Sequence, residues 1–362
     1  MNFDLSEEQT LFKATVERFS AKMDVPTRQR LRMIDGGYDR DRWQELAGFG
    51  LIALCADESH GGIGGSPMDL AIVAEALGHG LAPDPWVENA VLPLRLLEAV
   101  GATAAIPSVL DGNRIIAAAI CERRARYSLV PQATRLKVQG DRHSLRGEKT
   151  FVLGGAIADE FLVSALKDDA FALCRVPKDH AGVDRRNYRL VDGSLACELR
   201  LNDVDLPAEN IFALEQDALA RIVADVRLVA AGELVGLAQR LFDDTLGYVK
   251  QREQFGVAIG SFQAIQHRLV DCYAQLEQSR SMLYRAALQE RSDADAWHRT
   301  AAGAKSFIGE QAGDIAREAV QLHGGMGITD ELSIGHGLKR VMLLNAFLGD
   351  CDTTLSDYAE AA

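Results

Sequence analysis

A short stretch of the chain combines the residue types best suited to hold an anionic ligand that contains a flat ring. It runs from Arg252 to Ile265 and includes Phe255, Phe262 and Gln263. A guanidinium grips a diphosphate through two parallel hydrogen bonds, and an aromatic side chain lies against a flat ring. We therefore expect this stretch to bind a ligand. An ordinary helical hairpin, capped by its own phenylalanines, is the alternative.

A lone carboxylate on an apolar helix stripe is the second candidate. Glu233 shares its stripe with Leu237 and follows Gly232, which leaves space above the backbone. Burial disfavours the charged form of a carboxylate and makes it a better proton acceptor, so Glu233 is a candidate general base. A structural ion pair with Arg227 or Arg240, from neighbouring turns, is the interpretation that we favour.

The elements that position these residues follow from hydrophobic periodicity. Helical patterns cover residues 6–34, 40–49, 68–78, 86–109, 214–250, 263–291, 294–322 and 331–345. Gly256 and Gly260 interrupt the pattern between two long helices, so we expect a short connection and antiparallel helices. The glycine-rich turn Gly61–Gly65 is not followed by the Lys-Ser of a P-loop, so we do not expect it to bind a nucleotide.

Short β-type runs fill the middle of the chain. They lie at residues 115–120, 144–146, 160–165, 170–176 and 197–201, and turn residues separate them. We therefore expect an α+β fold with three domains: a helical domain at 1–112, a β domain at 113–212 and a helical domain at 213–362.

Composition limits the possible partners. The net charge of -13 argues against nucleic acid or an anionic membrane surface as the main partner. The six cysteines show no CxxC spacing, which is typical of reduced thiols and not of disulfides or a zinc site. The acidic start of the chain does not have the pattern of a signal peptide, and no apolar run approaches the roughly 20 residues that span a bilayer. We expect a cytoplasmic protein.

Four landmarks lie in order along the chain: Phe3–Gln9, Val204–Asn210, Arg252–Gly256 with Phe262–Gln263, and Gln321–Thr329. Together they resemble the acyl-CoA dehydrogenase family over nearly the whole chain. The resemblance implies an N-terminal helical domain, a middle β-barrel or β-sandwich domain and a C-terminal four-helix bundle. It also implies FAD bound across a subunit interface, so that each subunit contributes two separate faces.

The chemistry of the family is the oxidation of an acyl-CoA thioester to the 2-enoyl-CoA, with electron-transferring flavoprotein as the usual acceptor. A carboxylate removes the α-proton while the β-hydrogen leaves as hydride to the flavin. The face that a subunit gives to its neighbour's FAD matches the family well. By resemblance, the contacts on this face are Arg252, Phe255, Gln263, Gln321, Gly324 and Gly325.

The face that cradles a subunit's own flavin and substrate matches poorly. Cys121 and Leu153 stand where the family has hydroxyl side chains that bond the flavin, and a thiol is a far weaker donor. The bulky pair Arg126–Tyr127 replaces a Gly-Ser pair. Phe151 stands where an aromatic residue backs the flavin. Two polar flavin contacts are therefore missing.

The usual position of the catalytic glutamate falls on Leu348, and an alternative family position falls on Val226. Neither side chain accepts a proton, and Asp350 is two residues out of register. We therefore expect a small, diverged subunit of a bacterial heteromeric (α2β2) acyl-CoA dehydrogenase, with the base supplied by its partner. A homomeric dehydrogenase with Glu233 as base, and a non-catalytic structural subunit, are the alternatives.

Overall fold

The computed structural model describes residues 5–21, 23–140 and 142–360. Two compact units make up the chain. One contains Met1–Arg30, Ser66–Pro83 and Arg227–Ala362, and the other contains Leu31–Gly65 and Asp84–Val226. The first third of the chain is thus shared between the two units. The domain boundaries at residues 112 and 212 stay a prediction.

The order of elements is helices, then strands, then helices, as predicted. The helices are α1 (Glu7–Ser20), α2 (Val25–Arg32), α3 (Arg40–Gly48), α4 (Pro67–His79), α5 (Leu92–Ala99), α6 (Ile106–Leu110), α7 (Gln216–Gln251), α8 (Gln263–Ala287), α9 (Ala294–His323), α10 (Ser333–Ala346) and α11 (Cys351–Glu360). The strands are β1 (Ile116–Ala119), β2 (Arg135–Gln139), β3 (Arg142–Leu153), β4 (Glu160–Lys167), β5 (Ala170–Pro177), β6 (Val183–Arg189), β7 (Leu195–Asp205), β8 (Ile211–Ala213), β9 (Glu253–Gln254) and β10 (Val257–Ala258).

The first helix begins where its capping residues predict. The hydroxyl of Ser6 accepts the N–H of Gln9 at 3.1 Å, and the Gln9 side chain accepts the N–H of Ser6 at 3.0 Å, which forms a capping box. The predicted continuous helix over residues 6–34 is wrong, because α1 ends at Ser20 and α2 starts at Val25. Pro26 lacks the N–H that an uninterrupted helix needs and is tolerated in the first turn of a new one. Phe3 and Asp4 of the first landmark lie outside the described residues.

Within the first unit, α4 crosses α7 at unusually close range. A methyl group at Gly78 would lie 2.2 Å from the carbonyl oxygen of Glu233, and one at Gly236 would lie 1.9 Å from that of Glu75. The absence of side chains at these positions lets the two backbones touch. Glu233 is therefore held by a rigid helix crossing.

The helices α7 and α8 are antiparallel, as predicted. Arg280 donates to the side-chain oxygen of Gln239 at 2.8 Å, and the rings of Tyr273 and Phe242 lie 6.0 Å apart, so the contacts advance along α7 while they recede along α8. After the four predicted helices comes α11, which the sequence analysis did not predict. Asp350 starts it, because its side chain accepts the N–H of Thr353 at 2.9 Å.

The second unit is built on an eight-stranded sheet in the order β6-β7-β3-β2-β4-β5-β8, with β1 pairing β4. The pairs β1–β4 and β2–β4 are parallel, and the others are antiparallel. The sequence analysis missed β2, β6 and β8. The strand β6 has the sequence VDRRNYR and is mostly exposed, so it lacks the apolar alternation that identifies a strand.

The helical segments of the second unit pack near the start of β1. Trp86 donates its indole N–H to the carbonyl of Leu51 at 2.9 Å, and Asn89 donates to the carbonyl of Ile116 at 2.8 Å. The predicted helix over residues 86–109 is broken, because Gly101 has a φ of 68° and ends the helical run after α5.

Candidate functional site

The residues predicted to contact a neighbour's FAD are all exposed in the single chain. They come from the end of α7, the hairpin after it, the start of α8 and the end of α9, all within the first unit: Arg252, Phe255, Gln263, Gln321, Gly324 and Gly325. Phe255 is 93% exposed, which is exceptional for a phenylalanine. This surface, called the donated face below, is open to a partner molecule.

The connection between α7 and α8 is a small β-hairpin and not a plain loop. The strands β9 and β10 pair across a turn in which Phe255 has a φ of 55° and Gly256 a φ of 81°. Two successive positive φ angles are the geometry of a type I′ turn. Left-handed backbone costs a phenylalanine about 1–2 kcal/mol, and such strain accumulates at functional positions. The strain holds an aromatic ring out in solvent.

Two glycines at the end of α9 form the second half of the donated face. Gly324 has a φ of 60° and a ψ of -142°, a backbone conformation that is essentially restricted to glycine. No heavy atom within 4 Å would meet a methyl group at Gly324 or Gly325. The backbone here is exposed and open to close approach by a ligand.

The charge on the donated face suits an anion. Among the described residues, no carboxylate pairs with Arg252, whereas Arg268 on α8 binds Glu318 at 2.9 Å. In the same part of the chain, no side chain caps the N-terminus of the 25-residue helix α8, which begins at Gln263. Free N–H groups and the positive end of a helix dipole attract phosphate oxygens. These residues fit the diphosphate of FAD.

In the second unit, a buried ion pair anchors the loop that follows Cys121. The Glu122 carboxylate accepts a hydrogen bond from the ammonium group of Lys149 at 2.9 Å. It also accepts hydrogen bonds from the backbone N–H groups of Ala133 at 2.6 Å and Thr134 at 3.1 Å. Burial alone would raise the pKa of Glu122, but Lys149 and the Ala133 N–H outweigh it and hold the pKa at about 2. Glu122 therefore organises the loop as a carboxylate.

The second unit also contains the other residues that were predicted to lie beside the subunit's own flavin. Two of them have an unusual backbone, and two offer weak or no hydrogen bonding. Phe151 has a φ of 53° and lies at an irregularity in the pairing of β3 with β7, and Arg126 has a φ of 48°. Burial raises the pKa of the Cys121 thiol, although Lys149 partly opposes it, so this side chain stays a neutral, weak donor. Leu153 is buried and offers no hydrogen bond.

The usual base position lies in a tightly held turn of the first unit. Leu348 is buried with a φ of 55°, and Gly349 follows with a φ of 120°. Arg227 donates from Nε to the carbonyl of Leu348 at 2.8 Å and pairs with Asp357 at 2.7 Å. An apolar side chain thus occupies a backbone position that is held in a strained, fixed conformation.

A fully buried lysine supports the same turn from α9. Lys305 donates from Nζ to the carbonyl of Gly349 at 3.4 Å. Burial, with a smaller contribution from the nearby Arg227, lowers the pKa of Lys305 to about 8, although Cys351 and Asp350 oppose the change. The sequence analysis did not single out Lys305, although a pattern in the sequence points to it. Small and apolar residues recur at helical spacing on one face of α9, and Lys305 lies among them.

Glu233 is buried in a two-pronged ion pair, but its partner is not the predicted one. Arg340 of α10 donates from Nε to one carboxylate oxygen at 2.6 Å and from a terminal nitrogen to the other at 3.0 Å. The predicted partners are wrong: Arg227 holds the Leu348 turn, and Arg240 pairs with Asp244 at 2.8 Å. Both oxygens of Glu233 are occupied, which is the geometry of a structural pair.

The two histidines beside the FAD motifs differ in their surroundings. His323 is buried and contacts the carbonyl of Ala319 through Nδ1 at 2.8 Å, whereas His267 is exposed. Within residues 5–21, 23–140 and 142–360, no cluster of three or more histidine, cysteine or acidic side chains could hold a metal ion. In the same ranges, no helix is long and apolar enough to span a bilayer.

Comparison with known proteins agrees with this geometry. The chain matches the acyl-CoA dehydrogenase N-terminal domain over residues 6–102 and the acyl-CoA dehydrogenase C-terminal domain over residues 218–362. It is 30% identical over 342 residues to the acyl-CoA dehydrogenase IpdE2 of Mycolicibacterium smegmatis, with 93% of each protein covered.

Two solved structures are also similar. One is the ChsE4–ChsE5 complex from Mycobacterium tuberculosis, with a TM-score of 0.90 and 26% identity over 99% of this chain and 98% of that one. The other is the Tcur3481–Tcur3483 steroid ACAD, with a TM-score of 0.88 and 26% identity over 98% of this chain and 97% of that one.

The chain belongs to the acyl-CoA dehydrogenase family. It has the family fold of an N-terminal helical domain, a middle β-sheet domain and a C-terminal helical domain. It is an acyl-CoA dehydrogenase oxidoreductase, and its cofactor is FAD.

Proposed function

We propose that this chain is one subunit of a heteromeric acyl-CoA dehydrogenase and gives its donated face to FAD held mainly by a second, related subunit. One observation carries the proposal. The donated face is exposed and suited to a diphosphate, while Leu348 and Val226 provide no carboxylate at either base position. A subunit of this composition contributes cofactor binding and leaves proton abstraction to its partner.

The exposed apolar surface around the donated face supports a partner that covers it. Besides Phe255, Ile328 is 74% exposed, Val257 44% and Met326 44%, all near the ends of α7 and α9. A group of exposed apolar side chains on one surface is typical of an interaction site. FAD and the neighbouring subunit together would remove these side chains from water.

The missing base supports the division of labour. Proton abstraction next to a thioester needs a side chain that can take up a proton within reach of the substrate. Leucine and valine have no such group, and both oxygens of Glu233 bind Arg340. The partner subunit therefore supplies the carboxylate and the acyl pocket.

The descriptions of two relatives support an inferred substrate class and mode of assembly. One similar structure is a complex of two differently named chains, and another is described as a steroid ACAD. By analogy, we infer a bulky acyl-CoA, such as a thioester of a sterol side chain, as the substrate. Electron-transferring flavoprotein is the inferred electron acceptor.

The decisive experiment compares the chain produced alone with the chain co-produced with the acyl-CoA dehydrogenase-like product of a neighbouring gene. FAD supplies hydride acceptance and absorbs at about 450 nm when bound. We expect stoichiometric flavin and turnover only in the complex. Full flavin loading and turnover by the lone chain would refute the heteromer. A complex without flavin absorbance would instead support the alternative of a non-catalytic structural subunit.

The role of Glu233 is tested in the same complex. Glu233→Gln should leave turnover unchanged at a temperature at which the variant is folded, and should lower stability by about 3 kcal/mol because it breaks the buried, two-pronged ion pair with Arg340. The double variant Glu233→Gln, Arg340→Met should recover most of that loss. Abolished turnover with FAD still bound would instead make Glu233 the base of a homomeric dehydrogenase.

A further inference from the structure

The donated face has two halves that come from different helices. Arg252 lies at the end of α7, and Gln321, Gly324 and Gly325 lie at the end of α9. A single cofactor can contact both halves only when the two helix ends keep a fixed separation. Some contact close to the ends must therefore set that separation.

An aromatic stack joins the two ends. The rings of Tyr248 and His323 lie 4.2 Å apart at an interplanar angle of 25°, and both residues belong to the first unit. Tyr248 is one turn before Arg252, and its backbone carbonyl accepts a hydrogen bond from the Arg252 backbone N–H at 2.8 Å. His323 lies between Gln321 and Gly324. The stack thus joins two residues that lie beside the two halves of the donated face.

The imidazole is fixed in orientation. His323 is 6% exposed, and its Nδ1 lies 2.8 Å from the carbonyl oxygen of Ala319 one turn earlier in α9. A carbonyl oxygen only accepts, so Nδ1 carries the proton in this contact. The ring is therefore held by its own helix and presents a fixed face to Tyr248.

The stack lies close to the ends of both helices. Tyr248 is three residues before Gln251, the last residue of α7, and His323 is the last residue of α9. A contact at this place sets the spacing between the residues that follow the two helices.

We propose that Tyr248 and His323 are positioning residues for FAD, and that their stack sets the spacing between Arg252 and the Gly324–Gly325 backbone. The proposal rests on the proposed function, because it assumes that the donated face binds FAD. It adds two residues that do not themselves contact the cofactor. An aromatic pair contributes about 0.5–1.5 kcal/mol, which corresponds to a change of up to about tenfold in an equilibrium constant.

The test measures the dissociation constant of FAD in the flavin-binding assembly. Tyr248→Leu removes the ring and should raise the constant by about tenfold, whereas Tyr248→Phe keeps the ring and should change it by less than about twofold. Phe242→Leu is the matched control, since it removes an aromatic contact of α7 with Tyr273 of α8 away from the face. It should lower thermal stability and leave FAD affinity unchanged.

A double-variant cycle separates positioning from general destabilisation. If the stack acts by placing Arg252, Tyr248→Leu should raise the dissociation constant of FAD by less than about threefold when Arg252 is already replaced by Gln. Equal effects of Tyr248→Leu and Tyr248→Phe, or full additivity with Arg252→Gln, would overturn the positioning role. An Arg252→Gln variant that binds FAD as tightly as the wild type would instead refute the proposed function itself.

Discussion

The donated face and the turn at Leu348 and Gly349, called the Leu348 turn, both have an unusual backbone, but they differ in the chemistry of their side chains. The donated face combines an unusual backbone, at Phe255 and Gly324, with side chains suited to FAD. The Leu348 turn has an equally unusual backbone, with left-handed Leu348 held by Arg227, but it carries an apolar side chain. The comparison teaches that an unusual backbone accompanies a side chain suited to a ligand at one place and an apolar side chain without reactive chemistry at another.

The physical reason lies in how the backbone is held. The turn at Leu348 is fixed by side chains of other helices, namely Arg227 of α7 and Lys305 of α9, and these do not depend on which side chain residue 348 carries. The reactive group of a base, in contrast, is one side chain and changes with one substitution. A strained backbone is therefore weaker evidence for catalysis than the chemistry of its side chain.

The largest expected effect on FAD binding is at Arg252. Arg252→Gln removes the charge that suits a diphosphate and should weaken FAD binding by about 100-fold in the assembly, because charge-assisted bonds to phosphate contribute about 1.5–3 kcal/mol. Equilibrium titration with FAD checks it. Arg285→Gln on α8 is the matched control, since Arg285 is also exposed and lies outside the donated face. Equal losses for both variants would contradict the assignment.

A change at Glu122 tests the scaffold behind the altered flavin side. Glu122→Gln should lower stability by about 3 kcal/mol near neutral pH, because Lys149 is left buried beside a neutral group. Since the folded pKa of about 2 lies below the ordinary 4.5, the stabilisation from Glu122 is present above pH 4.5 and disappears as the pH falls towards 2.

Chemical denaturation of both proteins between pH 7 and pH 2 measures the effect. The two curves should converge at low pH. A constant difference between wild type and Glu122→Gln over the whole range would show that the carboxylate charge does not stabilise the loop.

A substitution at Gly349 tests how firmly the Leu348 turn is held. Gly349→Ala should cost about 2 kcal/mol, because its φ is 120° and the added methyl would lie 2.9 Å from both a nitrogen of Arg227 and a methyl of Thr354. Gly101→Ala is the control, since Gly101 also has a positive φ, of 68°, but open space around it. It should cost only about 1 kcal/mol. The melting temperatures of the two variants measure the difference, and equal losses for both would contradict a tightly held Leu348 turn.

Lys305 should make the stability of the protein depend on pH in the alkaline range. Its folded pKa of about 8 is below the ordinary 10.5, so the unfolded chain binds the proton more tightly and wild-type stability gains as the pH rises from 8 towards 10.5. Lys305→Met should lack this gain. The groups that face Lys305 (Arg227, Asp350 and Cys351) are unchanged in the variant.

Thermal unfolding at pH 7.5, 8.5 and 9.5 measures the difference between the two proteins. Lys250→Met is a suitable control because Lys250 is exposed on α7. A wild type and a Lys305→Met variant that respond identically to pH would show that the buried ammonium does not titrate in this range.

Local sequence signals predicted much of the fold. The four long helices that follow the strands, the start of the first helix near residue 6 and the turn after α7 all follow from residues within a few positions of one another. Strands without alternation, such as β6, were missed because their exposure on both faces removes the pattern. The hairpin of β9 and β10 was missed because Gly256 was interpreted only as a helix break.

The sequence by itself determined the helix–strand–helix order, the family and the residues suited to the donated face, because each depends on residue type at short spacing. Only the tertiary structure decided the partner of Glu233, which is Arg340 at a distance of 107 positions along the chain. It also decided the exposure of Phe255 and the stack of Tyr248 on His323. Such pairings depend on where separate helices meet, and no local pattern encodes that meeting.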